Sequence, residues 1–179
     1  MAYNVVMQKQ IAAYNVDSYN RSVKADVDVE NGSVFKLVAK TGVEGEKVVW
    51  KAEQAAATDV GLWMAMTPEI VTVVDAMGVE YRGLNVDPRA YTNTKGRVFD
   101  AVLLQKGDLI EMTGEGITDV ATKDYLVPDT ASMKLKTAES AGTGFALHKV
   151  DTGILHIGGA ALMQSHPTTY VYELSLIHI

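Results

Sequence analysis

The sequence predicts a mainly β fold: a sandwich- or barrel-like domain of short antiparallel strands with little helix and an extended N-terminal arm. Two observations predict it. Period-two alternation and β-branched runs recur along the chain, as in Val23 to Glu30 and Ile70 to Val74. Fifteen glycines punctuate those runs at the close spacing that many short strands and tight turns require.

Residues 2–21 are polar and rich in Tyr and Asn. Val6, Ile11 and Tyr14 mark only a weak helical stripe, and no N-cap is well placed. An extended arm over residues 1–21 is therefore expected, of the kind that a partner orders. Next, Val23, Ala25, Val27 and Val29 alternate with Lys24, Asp26, Asp28 and Glu30, which reads as a half-buried strand. Asn31-Gly32 supplies the positive φ angles of a tight turn, and a second β-forming run spans 33–39, so 22–39 reads as a hairpin. A loop over 42–45 precedes a strand at 47–50. Ala55 to Ala57 form either one helical turn or a linker. The apolar run 62–66 is too short for a helix and reads as a buried strand, ended by Thr67-Pro68. Ile70 to Val74 form another strand. Asp87-Pro88-Arg89 opens a turn, because Pro fixes φ and Asp bonds the backbone. Residues 97–104 and 109–113 read as strands joined by the turn 105–108, a second hairpin. A short helix capped by Thr118 or Asp119 is expected within 117–125. Further strands are expected at 133–136, 145–150, 154–157 and 170–173, separated by glycines.

The chain thus divides into the arm 1–21 and a β-rich domain 22–173, with a subdomain break near 114–130. Its last six residues, Leu174-Ser-Leu-Ile-His-Ile179, match one reading frame of the DNA end carried by transposase-based sequencing adaptors. Residues 174–179 are accordingly expected to be a non-native tail on an assembled environmental sequence, with the natural chain free to run on past Glu173.

Charge and composition exclude several function classes. Sixteen Lys and Arg stand against 22 Asp and Glu, a net charge of -6, which argues against bulk electrostatic binding of nucleic acid or an anionic membrane. The absence of cysteine excludes disulfides, thiolate chemistry and any zinc site built on Cys. No apolar run approaches the ~20 residues of a membrane-spanning helix. The first residues lack the charged and apolar regions of a signal peptide.

The residues that carry chemistry form no diagnostic motif. His148, His156 and His166 lie on or beside strands, where two or three imidazoles from neighbouring strands can meet on a metal. No H-x-H or H-x-x-x-H spacing demands this, and no metal site is assigned. Asp26, Asp28 and Glu30 share the polar face of one expected strand, about 7 Å apart, and read as a solvated face rather than an acid–base pair. The glycine pairs at 114/116, 142/144 and 158/159 match neither phosphate-binding fingerprint, and no nucleophile elbow is present. No catalytic or cofactor-binding residue is assigned. Trp50 and Trp63 sit within apolar runs and are expected in the core or an interface rather than on a sugar platform. Tyr3, Tyr14 and Tyr19, set among Asn and Ser, suit protein–protein contact and are the candidate partner-binding residues.

A series of phrases in the middle of the chain resembles a known family. In order they are Asn31-Gly-Ser-Val-Phe-Lys-Leu37, Val49-Trp-Lys-Ala52, Leu62-Trp-Met-Ala65, Tyr81-Arg-Gly-Leu84, Asp87-Pro-Arg89, Thr92-Asn93, Gly96-Arg-Val-Phe-Asp-Ala101 and Lys106-Gly-Asp-Leu-Ile110. They cover residues 30–113, about half the chain, and resemble the small structural proteins encoded beside the major capsid gene of tailed bacteriophages, of the head-decoration type. The resemblance implies a compact β module without catalysis that binds the major capsid protein on the outer face of the virion shell. It implies synthesis in the host cytoplasm, a homo-oligomer with a trimer favoured, and no cofactor, nucleic-acid or membrane partner. The Tyr/Asn-rich segment 2–21 is the candidate for an arm that adds a strand to the capsid protein. Two alternatives stand beside this reading: a tail-tube or baseplate subunit, and a carbohydrate-binding β module using Trp50 or Trp63.

Overall fold

The computed structural model describes residues 2–70, 72–74, 76–82, 87–119, 123–157 and 166–176. The fold is mainly β, as expected: strands dominate, and no helix among the described residues reaches seven residues. The strands are β1 (Val6–Gln10), β2 (Asn20–Lys24), β3 (Val34–Lys40), β4 (Trp50–Gln54), β5 (Trp63–Ala65), β6 (Thr72–Val74), β7 (Glu80–Arg82), β8 (Val98–Leu103), β9 (Leu109–Thr113), β10 (Ile117–Thr118), β11 (Tyr125–Pro128), β12 (Leu135–Ala138), β13 (Ala146–Ile154) and β14 (Thr168–Leu176). No helix among the described residues is long and apolar enough to cross a membrane.

Two sheets organise the chain. Strands β2, β4, β3, β5 and β8 close into a five-stranded barrel, and a seven-stranded sheet runs in the order β1-β9-β14-β13-β11-β12-β10. A separate ribbon pairs β6 with β7. Because β1 pairs antiparallel with β9, the whole barrel is an insertion between two neighbouring strands of the larger sheet. Directions cannot alternate all the way round a ring with an odd number of strands. One neighbouring pair must be parallel, and it is β2 with β4, joined over Val23–Trp50 and Lys24–Lys51.

Period-two alternation explains how one barrel wall serves two cores. Phe35, Ala65, Phe99 and Ala101 point into the barrel with Val23 and Val29. Their alternating neighbours Val34, Met64 and Val102 point outwards and meet Ile110, Met112, Leu126, Leu147 and Leu174 of the large sheet. The rings of Phe35 and Phe99 meet edge-on at 5.8 Å inside the barrel, an arrangement favoured by the aromatic quadrupole.

Both expected hairpins fail, although both turns are present. At the first, Ser33 N–H donates to Glu30 O at 3.1 Å and Gly32 adopts φ +83°. Strand β4, however, lies between β2 and β3. Residues 25–29 leave the barrel wall and bond the 93–96 loop instead. Gly96 N–H donates to Ala25 O at 3.0 Å and Val29 exchanges both bonds with Asn93. The alternating pattern breaks where the chain bends, and Val27 is 51% exposed. At the second, Asp108 N–H donates to Gln105 O at 2.9 Å, but the turn hands the chain from the barrel (β8) to the large sheet (β9).

The N-terminal segment is not a projecting arm. Val6–Gln10 is an edge strand of the large sheet, and Asn4, Val5, Ile11 and Ala13 are buried. The described residues of the expected 117–125 helix are not helical: Ile117 and Thr118 form β10, Tyr125 starts β11, and a helical turn lies earlier, at Gly114–Gly116. Strand β4 begins at Trp50 rather than Lys47, and the expected strand at 145–150 runs on through Gly153 as β13, which ends at Ile154, so residues 155–157 form no strand of their own. Residues 120–122 of the expected helix, Gly158-Gly159 and Ile177 to Ile179 of the expected tail lie outside the described residues. Leu174, Ser175 and Leu176 belong to β14.

Candidate functional site

A densely built polar cluster lies where the N-terminal segment meets the barrel. Asn4 is its centre and is buried, so each of its polar groups needs a protein partner. Its backbone N–H donates to Glu30 Oε2 at 3.1 Å, and its side-chain Nδ2 donates to Asn31 O at 2.8 Å. Its Oδ1 accepts from Thr113 Oγ1 at 2.9 Å, and that hydroxyl accepts in turn from Val5 N–H at 3.1 Å. Asn31 continues the network: its Nδ2 donates to Thr67 O at 2.7 Å and Glu69 Oε1 at 2.8 Å, while its Oδ1 accepts from Thr67 N–H at 3.1 Å. Asn93 Nδ2 donates to Val29 O at 2.9 Å and Asn31 Oδ1 at 3.2 Å. Glu30 Oε1 pairs with Lys134 Nζ at 2.7 Å. The three amides are satisfied from within, so the cluster stitches the N-terminus to both sheets rather than holding a ligand.

Two glycines make this cluster fit. A Cβ at Gly32 would lie 2.4 Å from Asn4 Nδ2, and one at Gly116 would lie 2.6 Å from the Asn4 side chain. Gly116, of the 114/116 pair, is therefore a packing requirement. Gly144 has the same role elsewhere, since a Cβ there would lie 2.4 Å from Ala57 O.

A cleft of about 610 Å³ opens between the N-terminal segment and the barrel. Val6, Ile11, Met66 and Val102 give it apolar walls; Arg21, Glu69 and Asp100 give it charge. It contains no histidine among its described lining residues. Tyr14 stands at the cleft and is 65% exposed. Tyr19 instead packs against the shared core, and Tyr3 is half-buried at the other end of β1, its N–H donating to Arg89 O at 2.8 Å. The three expected partner-binding tyrosines therefore form no single surface.

The carboxylate row is dispersed because residues 25–28 are not a strand. Asp28 Oδ1 accepts Lys95 N–H at 2.7 Å, Glu30 belongs to the Asn4 cluster, and Asp26 lies beside Lys24 and Glu46. Both tryptophans are half-buried, and each has a cation over its ring: Arg21 at 5.6 Å from Trp63 and Lys40 at 5.8 Å from Trp50. Of the histidines, His156 and His166 meet with Nδ1 atoms 3.0 Å apart, while His148 stacks on Tyr125 at 4.9 Å. No group of three His, Cys, Asp or Glu converges on a common point among the described residues.

Two carboxylates have strongly paired settings. Hydrogen bonds from the Arg89 side chain hold Asp87 below the usual carboxylate range, against modest burial; Arg89 Nη2 lies 2.9 Å from Asp87 Oδ2. Glu111 is buried between Ile110 and Met112 of β9 on the opposite face of the sheet. Burial pushes its carboxyl up, but hydrogen bonds from Lys9 and Thr169 and the Lys9 charge outweigh burial and lower it. Lys9 Nζ lies 2.5 Å from Glu111 Oε2, and Thr169 Oγ1 donates to Oε1. Gly153 leaves the room, since a Cβ there would lie 2.8 Å from both Glu111 Oε1 and Thr169 Oγ1.

A depressed carboxyl stabilises the fold above its unfolded value of ~4.3 and loses that contribution as pH falls through the folded value. The stability gap between the wild type and Glu111→Gln is therefore expected to narrow as pH falls from about 6 towards 2. Urea titrations across that window check it, and a gap that stays constant with pH contradicts the assignment.

The chain matches no protein-family model, no curated protein and no solved structure.

Proposed function

We propose that this protein is a virion structural component that binds the outer surface of a tailed-phage capsid shell and reinforces it without catalysis. One observation carries the reading. Four of the eight phrases that resemble head-decoration proteins fall on four of the five strands of the closed barrel, β3, β4, β5 and β8; the others lie on β7, in the 87–93 connection and on the turn from β8 into β9. A resemblance spread over unrelated segments would carry less weight than one that reaches four neighbouring strands of one barrel, all but β2. The acidic balance, net -6, suits an outer surface better than a genome-facing one.

The contact surface differs from the sequence-based expectation. Segment 2–21 is committed to the fold, so it is not available as a donated arm. Tyr14 keeps its ring open at the cleft and becomes the contact residue of choice.

The test is co-sedimentation with shells assembled from the major capsid protein encoded beside it. Saturable attachment and a discrete closed oligomer by light scattering are expected. Tyr14→Ala is expected to weaken attachment by roughly fivefold or more, the loss of over ~1 kcal/mol typical of an interface aromatic. Its thermal stability should change by no more than about 0.5 kcal/mol. Failure to attach overturns the reading, and stacked rings or filaments of the purified protein redirect it to the tail tube.

A further inference from the structure

We propose that His156 and His166 form a two-imidazole binding site for a tetragonally coordinating divalent transition ion, copper(II) or nickel(II), at the end of the β13–β14 pair. The site is independent of the capsid reading.

The strand register creates it. β13 and β14 run antiparallel with Gly153 opposite Thr169 and Ile154 opposite Thr168. The ladder continues past the strands, because Leu155 N–H donates to Pro167 O at 3.0 Å. Pro167 has no N–H to return, but the 155/167 pair still occupies a hydrogen-bonded position. The next opposed pair, His156 and His166, therefore occupies a non-hydrogen-bonded position, where facing side chains lie closest.

Ligand type and ring geometry together favour one class of ion. The same atom of each ring, Nδ1, faces the other at 3.0 Å, with ring centroids 4.8 Å apart at 70°. An ion ~2.0–2.1 Å from each nitrogen would subtend an angle of roughly 90–97°. That is close to the cis angle of a tetragonal centre, whereas a tetrahedral zinc site would need the nitrogens about 3.3 Å apart. Imidazole is a favoured ligand for both copper and nickel, and copper(II) stands highest in the divalent affinity order. Both rings are exposed, so water reaches the remaining coordination positions. Two exposed imidazoles with water on the remaining positions make an exchangeable site, and no third His, Asp or Glu joins them among the described residues. The backbone ladder holds both ligands in place before the ion arrives, and an ion bound only by the folded state stabilises it.

The experiment is titration of the full chain with Ni²⁺ by calorimetry at about pH 7.5. Cu²⁺ electron paramagnetic resonance provides the second readout. Saturable uptake of one Ni²⁺ per chain, nitrogen hyperfine structure from two equivalent imidazoles and a saturable rise in Tm are expected. His156→Ala and His166→Ala should each weaken binding by at least the ~10–100-fold that loss of a mere outer-shell partner costs. His148→Ala and His178→Ala should retain it. Both altered side chains at the site are exposed, and an unchanged circular dichroism spectrum verifies that the variants fold. Absence of saturable uptake overturns the proposal. So does uptake that survives the double variant, or that disappears in His148→Ala or His178→Ala instead.

Discussion

Removing residues 2–13 is expected to abolish cooperative folding rather than simply detach the protein from a partner. The segment supplies β1, the edge strand bonded to β9 from Val6 to Gln10. It supplies Ile11 and Ala13 to the core shared by both sheets. It also supplies Asn4, whose loss leaves Thr113, which is fully buried, and the Asn31 carbonyl without their partners. An unsatisfied buried polar group costs about 1–3 kcal/mol, and truncating a buried Ile costs about 2–5 kcal/mol. Two such losses together already rival the ~5–15 kcal/mol net stability of an ordinary domain. Far-UV circular dichroism and urea titration of the truncated chain check this. A cooperative transition at the wild-type midpoint would restore the arm interpretation. Ile11→Ala, a milder variant, should lower the midpoint while keeping a single transition.

The sequence made the strands legible and left their partners hidden. Strands β5, β8, β9 and β14 fall where short apolar, β-branched or alternating runs place them, because a residue's own side chain decides whether it suits a pleated surface. Pairing is a different matter. Asn31-Gly32 and Gln105–Asp108 each reverse the chain locally, but burial at distant positions decides which strand fills the neighbouring place. Strand β4 displaced β3 from β2, and the second turn joins two layers instead of two neighbours. Strand β1 escaped notice for another reason. Its sequence, Val-Met-Gln-Lys-Gln, has no sustained alternation, and its anchors are a buried amide at Asn4 and backbone bonds on one edge. Hydropathy patterns do not register either. The His156–His166 pair needed the β13–β14 register, since ten residues of separation has no meaning without it. Tyr3, Tyr14 and Tyr19 were grouped by composition alone, and β1 separates Tyr3 from the other two.

Replacing Leu174 with Ala is expected to cost about 2–5 kcal/mol, the range for a fully buried leucine. In a protein of this size that lowers Tm by roughly 5–15 °C. Leu174 is 0% exposed and faces the core from β14 beside Tyr172. It stands opposite Leu147 of β13. Its backbone is equally committed: its N–H donates to Asp108 O and its carbonyl accepts from Gly107 N–H, both at 3.0 Å. Those bonds pin the turn that carries the chain from barrel to sheet, so position 174 couples the two halves. Its apolar character continues the alternation of Tyr170 and Tyr172, with Ser175 turned the other way, whatever the origin of the DNA that encodes residues 174–179. Ending the chain at Glu173 should therefore destabilise more than Leu174→Ala, because it removes both backbone bonds as well as the side chain. Thermal denaturation of the two variants beside the full chain separates these contributions. Equal Tm values for all three would mean that β14 ends functionally at Glu173 and that the Gly107–Leu174 bonds hold nothing in place.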